Sequence, residues 1–138
     1  QIEALAEHDG SVALTYHQWP IFGPPSELSA RAALAADGQG AYAQFHRRML
    51  QSAFVATPEY LNLVAEELGL DGARLLHDAG DSSVEAQLTV SRSLANQFGM
   101  RGTPATIIGA TMIEGAVDRG VMRDLIARER ADGAWRAC

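Results

Sequence analysis

The residues best placed to do chemistry are Gly102, Thr103 and Pro104, which lie between a predicted helix and a predicted strand. The helix should end at Phe98-Gly99, because glycine suits the left-handed position that follows a helix. The strand should begin at Pro104, since proline cannot donate to a β-ladder and is tolerated at the first residue of a strand. An X–Pro bond is also the only kind of peptide bond with an appreciable cis population, about 5–6% in folded proteins. These residues therefore indicate a loop of restricted backbone geometry.

Thiol chemistry within the chain is restricted to Cys138, the last residue and the single cysteine. One thiol excludes an internal disulfide, a Cys-x-x-Cys pair and a cysteine-based metal cluster. Cys138 follows Asp132-Gly133-Ala134-Trp135, a sequence typical of a frayed terminus, so an incidental thiol is favoured over a catalytic one. No metal or other cofactor is predicted. The histidines lack the spacing or acidic partners of a metal motif and are expected at surface or half-buried positions (His8, His17, His46 and His77).

Length, composition and charge narrow the class of protein. A chain of 138 residues with 47% hydrophobic content is expected to form one domain with a core. Its net charge of −6 argues against nucleic-acid binding, which needs a basic face to neutralise phosphates. All eleven basic residues are arginine, and the five in the last twenty residues are interleaved with acidic ones. A solvated helix face with i,i+4 pairs such as Asp124 with Arg128 is favoured there over a binding patch.

The first 25 residues predict a short helix, a strand and a loop. Residues 1–8 carry Ile2 and Leu5 on one face and are expected to be the tail of a longer helix whose upstream residues have been removed. Residues 11–19 alternate between two faces, the period of a strand. The proline-rich segment 20–25 predicts a rigid exit loop. No apolar run approaches the ~18 residues of a membrane span, and no signal peptide is recognisable.

Five helices are predicted between Ser26 and Gly99, and a hairpin and a last helix follow. Their expected starts are Ser26, Gly40, Thr57, Asp71 and Ser82, the last as part of an S-x-x-E capping box with Glu85. The second helix is expected to carry one apolar stripe of Tyr42, Phe45, Met49 and Leu50. Gly109-Ala110 between two apolar runs indicates a two-residue hairpin turn. Asp118 should cap the last helix, whose predicted buried face is Val121, Met122, Leu125 and Ile126.

Four stretches of the chain together resemble the DsbA-like branch of the thioredoxin superfamily. They are residues 19–24, 29–36 and 65–71 and, most specifically, Phe98-Gly99-Met100-Arg101-Gly102-Thr103-Pro104-Ala105. The resemblance runs from about Gln1 to Arg128. It implies an α/β, thioredoxin-like fold in a single domain of residues 1–138 that is incomplete at its N-terminus. Residues 26–99 would form a helical insertion between the first strand present and the C-terminal β-hairpin.

The resemblance also implies thiol-disulfide exchange. DsbA-like proteins form or isomerise disulfides in cysteine-containing protein or peptide substrates, in the periplasm or otherwise outside the cytoplasm, and a redox partner recycles their dithiol. Their Cys-x-x-Cys stands at a helix N-terminus, which lowers the thiol pKa. A cis-proline loop faces it, and the residue before proline can pair with a substrate peptide as an added strand. Only Gly102, Thr103 and Pro104 carry over, as substrate-binding residues with a cis Thr103–Pro104 bond. The cysteines have no counterpart.

Two other functions stay open on the sequence. The chain could be a non-catalytic thioredoxin-like module that keeps the peptide-binding loop and has lost the cysteines. It could also belong to the glutathione-dependent isomerase branch of the superfamily, in which serine replaces the first cysteine. The upstream residues would decide between these alternatives, because the motif stands there in the family.

The resemblance implies that one strand is missing. This strand would lie between residues 12–18 and residues 105–108. Its absence is expected to leave two unpaired inner strand edges, where each buried backbone group without a partner costs about 1–3 kcal/mol. We therefore expect upstream residues, a strand from a second chain or an altered register to fill the gap. A homo-oligomer or strand exchange is one of these expected states.

Overall fold

A computed structural model describes residues 2–131 of the protein. The described range contains, in chain order, α1 (Ile2–His8), α2 (Pro24–Asp37), α3 (Tyr42–Leu50), α4 (Pro58–Glu67), α5 (Gly72–Asp78), α6 (Ser82–Gln97), β1 (Ala105–Ile108), β2 (Thr111–Glu114) and α7 (Arg119–Ala131). These elements form two compact units. The hairpin unit contains residues 2–16 and 99–131, and the helical unit contains His17–Phe98. The helical unit begins at His17, before residue 26 where the insertion was expected to start, and ends at Phe98, one residue before its expected end.

The helical unit is built around α2, whose inward face is made of alanine. Small side chains let the neighbouring helices approach α2 closely. The space between the helices is filled by fully buried residues of α3, α4 and α5, among them Phe45, Leu61 and Leu75. On α2 the buried positions are Ala30, Ala32, Ala33, Ala35 and Ala36. The alanine-rich sequence of this helix is therefore a packing surface.

The five predicted helices of this unit are confirmed, and local signals set two of their starts as expected. Thr57 Oγ1 accepts a hydrogen bond from the Tyr60 N–H at 3.2 Å, and Asp71 Oδ1 accepts one from the Arg74 N–H at 2.9 Å. The expected start of α2 at Ser26 is wrong by two residues. This helix begins at Pro24, because proline is preorganised for the first helical turn and the preceding Gly23 has φ 80°.

The predicted capping box at Ser82 does not form. Asp81 is the N-cap residue of α6 and makes no side-chain cap hydrogen bond. The Glu85 carboxylate instead binds the guanidinium group of Arg31, on α2, and that of Arg92. The distance from Arg92 Nη1 to Glu85 Oε1 is 3.0 Å. Two cations offer a carboxylate stronger hydrogen bonds than one backbone N–H does, so the ion pairs take Glu85 away from the helix terminus.

The hairpin unit holds the sheet of the described residues, which is the antiparallel pair of β1 and β2. Ile108 pairs with Thr111 across the turn, and Ala105 pairs with Glu114 at the open end. Gly109 has φ 58°, as the first residue of a glycine-led two-residue turn requires. The predicted hairpin is therefore confirmed, although β1 begins at Ala105 rather than at Pro104.

The core of the hairpin unit joins its two helices to the sheet. Leu5 of α1, Ile108 of β1, and Met122 and Ile126 of α7 form one buried cluster. Asp118 Oδ1 accepts a hydrogen bond from the Gly120 N–H at 2.7 Å, so the predicted cap of α7 is confirmed. The predicted burial of Val121 is wrong, because its side chain is 49% exposed.

The segment of residues 11–19 is not a β-strand, which corrects the prediction. Its side chains keep the alternation of a strand, since Val12, Leu14 and Tyr16 are half-buried while Ala13 and Thr15 are exposed. Among residues 12–15, and within the described part of the chain, only Val12 takes part in a backbone–backbone hydrogen bond, from its N–H to the Asp9 carbonyl at 2.9 Å. Alternation requires only a half-buried chain, whereas a strand also requires a partner for its backbone groups.

The acidic and basic residues of α7 are paired differently from the prediction. Asp124 lies 3.5 Å from the Nε atom of Arg123, and Arg128 donates to Thr111 Oγ1 at 3.4 Å instead of pairing with Asp124. Helix α7 is also joined to the end of α1, where Arg130 donates to both carboxylate oxygens of Asp9, at 2.8 and 2.9 Å. None of the described helices is both long and apolar enough to cross a membrane.

Candidate functional site

The Gly102-Thr103-Pro104 loop connects the turn at Gly99 to β1. Gly99 has φ 65°, the left-handed conformation predicted for the glycine just beyond Phe98, the C-cap residue of α6. The Thr103–Pro104 peptide bond is cis. Thr103 and Pro104 are exposed, and Gly102 is half-buried. The three residues predicted to bind substrate therefore form one continuous, solvent-accessible loop.

The first end of this loop is held by a carboxylate that the sequence analysis did not identify. Glu114, the last residue of β2, accepts a hydrogen bond from the Arg101 N–H on Oε1 at 2.7 Å. Its other oxygen, Oε2, accepts from the Arg101 guanidinium, at 2.7 Å from Nη2 and 3.1 Å from Nε. One side chain thus binds both the backbone and the side chain of the residue that precedes Gly102.

The second end of the loop is held by backbone contacts of the same strand end. The Gly115 N–H donates to the Pro104 carbonyl at 2.7 Å, and Ala105 is the cross-strand partner of Glu114. Both ends of the loop are therefore joined to residues 114 and 115. Between these two anchors lie only Gly102 and Thr103.

The charges at the loop are those of an ion pair at neutral pH. Hydrogen bonds from the Arg101 side chain and backbone lower the pKa of Glu114 below the ordinary value, and the same carboxylate raises the pKa of Arg101. The Arg101 side chain is 87% exposed while that of Glu114 is 26% exposed. The carboxylate is thus the more sheltered partner of the pair.

Glu114 was missed because its role depends on strand register. Arg101 and Glu114 are thirteen residues apart in the chain, and nothing local to either of them indicates a contact. A usable signal was nevertheless present. The Gly109-Ala110 turn fixes a register in which Ala105 faces Glu114, and this places an acidic side chain beside the start of the loop.

The other predicted site residues are placed as follows. Cys138 lies outside the described residues. His8, His17 and His77 are exposed, and His46 is half-buried and stacks on Tyr42 with 5.5 Å between ring centroids. A hydrogen bond to Asp78 raises the pKa of His77. Within residues 2–131, no three His, Cys, Asp or Glu side chains are grouped so that they could hold a metal ion.

The helical unit has a shallow groove of about 500 Å³ beside the predicted exit loop. Its walls include Pro20, Ile21 and Leu28 as well as the polar side chains of Glu27 and Arg31. Arg31 donates to Glu27 at 2.9 Å and also binds Glu85, so its charge is already neutralised. The groove therefore offers apolar surface rather than a free charge.

Comparison with known families decides the identity of this fold. The family described as "DSBA-like thioredoxin domain" matches residues 1–127. The chain belongs to this family. DsbA-like proteins have a thioredoxin-like fold, so the fold class predicted from the sequence is confirmed. In this chain the fold is mostly helical, with the two-stranded antiparallel sheet described above.

Solved structures agree with the family match. A thioredoxin-like oxidoreductase from Silicibacter pomeroyi is 34% identical, with a TM-score of 0.88 over 94% of this chain and 75% of that chain. The thiol-disulfide exchange protein alpha-DsbA2 from Wolbachia pipientis is 27% identical, with a TM-score of 0.83 over 92% of this chain and 70% of that chain. A periplasmic thioredoxin-like protein from Salmonella enterica is 25% identical, with a TM-score of 0.81 over 94% of this chain and 73% of that chain. No curated protein matches the chain.

Proposed function

We propose that this DsbA-like chain takes part in thiol-disulfide exchange on protein substrates and that Gly102, Thr103 and Pro104 bind the substrate as an extended peptide. The observation that carries the proposal is the free backbone of the loop. Within the described residues, neither Gly102 nor Thr103 makes a backbone–backbone hydrogen bond, whereas the adjoining Pro104 carbonyl does. Free N–H and C=O groups beside a sheet are what an added strand pairs with.

The redox step requires two thiols that exchange with those of the substrate. In disulfide formation, a substrate thiolate attacks one sulfur of an oxidised Cys-x-x-Cys, which gives a mixed disulfide and releases the other sulfur as a thiolate. A second substrate thiolate then displaces the remaining enzyme sulfur. The substrate gains a disulfide, the enzyme disulfide accepts two electrons and becomes a dithiol, and a redox partner reoxidises this dithiol. Residues 1–138 contain one cysteine, so this dithiol is not among them.

In this proposal the chain contributes the peptide-binding loop, and the Cys-x-x-Cys lies outside its 138 residues. The substrates are cysteine-containing proteins or peptides, and the protein acts in the periplasm or otherwise outside the cytoplasm. The thiol-disulfide exchange protein from Wolbachia pipientis and the periplasmic protein from Salmonella enterica support these two parts of the proposal. A non-catalytic peptide-binding module is the alternative, and the same loop would serve it.

A nuclear magnetic resonance titration of residues 1–138 tests the binding site. The probe is insulin B chain with both cysteines alkylated, so that Cys138 cannot form a mixed disulfide with it. We expect saturable shifts at the amides of Gly102, Thr103 and Ala105. Saturable binding that shifts amides elsewhere and leaves these three unchanged would overturn the proposal. An insulin-reduction assay on the full-length gene product separates the oxidoreductase from the non-catalytic alternative.

A further inference from the structure

The two ends of the Gly102-Thr103-Pro104 loop are not held equally. At the second end, proline restricts its own φ, and its carbonyl is fixed by the Gly115 N–H at 2.7 Å. At the first end stands Gly102, which has more backbone freedom than any other residue type. Without a contact before it, Gly102 would let the peptide plane that bears the Thr103 N–H rotate. The orientation of Thr103 therefore depends on what holds Arg101.

Glu114 is the residue that holds Arg101. Its Oε1 atom accepts from the backbone N–H, and its Oε2 atom accepts from the guanidinium, so the two oxygens fix different parts of one residue. The guanidinium bonds are solvent-exposed, as the 87% exposure of the Arg101 side chain shows. Exposed ion pairs contribute little by themselves. The backbone hydrogen bond from Arg101 is thus the contact that limits the loop.

We propose that Glu114 is the positioning residue of the peptide-binding loop: by binding the Arg101 N–H it restricts Gly102 and holds the Thr103 backbone in the orientation with which an extended substrate pairs. This inference rests on the proposed function of the loop. It attributes the fixed conformation of the loop to the hydrogen bond between the Glu114 carboxylate and the Arg101 N–H rather than to the ion pair. Glu114 touches neither the substrate nor a reacting atom and acts through Arg101.

Four variants separate the backbone bond from the ion pair. Glu114→Ala removes both, and we expect about fivefold weaker binding of the alkylated insulin B chain, the ratio for one net hydrogen bond. Glu114→Gln keeps an oxygen that accepts from the Arg101 N–H and should bind within about twofold of the wild type. Arg101→Gln removes the guanidinium alone and should also stay within about twofold. Arg130→Gln breaks a comparable ion pair, to Asp9, away from the loop and should leave binding unchanged.

The Gly102→Ala substitution distinguishes positioning of the loop by Glu114 from a general effect of Glu114 on stability. A Cβ at this position meets no atom within 4 Å, and the φ of Gly102 is not positive, so alanine fits there. Alanine restricts the backbone in place of the missing contact. The double variant Glu114→Ala with Gly102→Ala should therefore regain about half of the lost binding free energy, roughly a twofold recovery in affinity.

The same titration distinguishes failure of this inference from failure of the proposed function. Wild-type shifts at Thr103 together with unchanged affinity in Glu114→Ala would overturn the positioning role and leave the binding site intact. Equal losses in Glu114→Ala and Glu114→Gln would also overturn it, because they would assign the effect to the ion pair. Absence of wild-type shifts in the loop would overturn the proposed function and this inference together.

Discussion

The carboxylate of Glu129 occupies the space beside Gly109 at the tip of the hairpin. A Cβ built on Gly109 would overlap this carboxylate and lie 2.8 Å from the Glu129 Cγ atom. Glu129 is buried on α7, and Thr111 Oγ1 lies 3.5 Å from its Oε1 atom. The helix and the turn thus approach each other at a point where only glycine fits.

Gly109→Ala should destabilise the protein by about 1–3 kcal/mol. The φ of 58° is unfavourable for alanine, and the new methyl group would displace the Glu129 side chain. Urea unfolding measures the loss. As a control, Glu129→Ala in the Gly109→Ala background should recover the part of the loss that comes from the overlap. An unchanged unfolding midpoint in Gly109→Ala would contradict the described turn.

Acid should weaken the contact between α1 and α7. Hydrogen bonds from Arg130 and then Ser11 hold the pKa of Asp9 well below its ordinary value. A carboxylate whose pKa is lowered by folding stabilises the folded state above its unfolded pKa of about 3.9, and this contribution is lost as the pH falls toward the lowered value. The melting temperature of Asp9→Asn should therefore fall less steeply below pH 4 than that of the wild type. Parallel curves for the two proteins would show that the pair contributes nothing.

Residues 13–15 should exchange their amide hydrogens faster than the hairpin does. The N–H groups of Ala13, Leu14 and Thr15 make no backbone–backbone hydrogen bond within the described residues, whereas those of β1 and β2 form a ladder. Hydrogen exchange with sedimentation of residues 1–138 measures both the protection and the oligomeric state. A monomer in which residues 13–15 are as protected as the hairpin would contradict this. Protection that appears only in a dimer would instead indicate a strand donated by a second chain.

Residues 1–138 should show no catalytic disulfide reductase activity. A single thiol forms a mixed disulfide, and the chain has no second thiol to resolve it, so the protein should not accelerate insulin reduction beyond the rate of dithiothreitol alone. An insulin-reduction assay with excess dithiothreitol, corrected for the reaction without protein, measures this. Catalytic turnover that Cys138→Ser abolishes would contradict the prediction.

Much of the fold could be predicted because its signals are local. Thr57 and Asp71 cap helices through atoms three residues away, and Gly109 forms its turn within two residues. Burial was harder to predict. Phe45 and Leu50 were expected on one apolar stripe of α3, yet Phe45 is fully buried and Leu50 is 74% exposed. Which side of a helix meets its neighbours depends on tertiary packing that a single helix does not encode.

The contacts that could not be predicted are those between residues far apart in the chain. Glu85 fits a capping box by its spacing from Ser82, but Arg31 is 54 residues away and takes the carboxylate. Residues 11–19 have the alternation of a strand, but alternation along one segment does not show whether a second strand lies beside it. Gly102, Thr103 and Pro104 were identified because they are contiguous, whereas Glu114 contacts this loop only through the register of the hairpin.

Hydrogen exchange at the Thr103 amide, with and without the alkylated insulin B chain, tests substrate binding by the loop most directly. If an extended peptide pairs with the loop backbone, the Thr103 N–H enters an intermolecular hydrogen bond, and its exchange should slow when the peptide saturates the protein. The amides of the core helix α4 serve as the reference, because their exchange should not change. A Thr103 amide that exchanges equally fast in the free and the saturated protein would contradict substrate binding through this backbone.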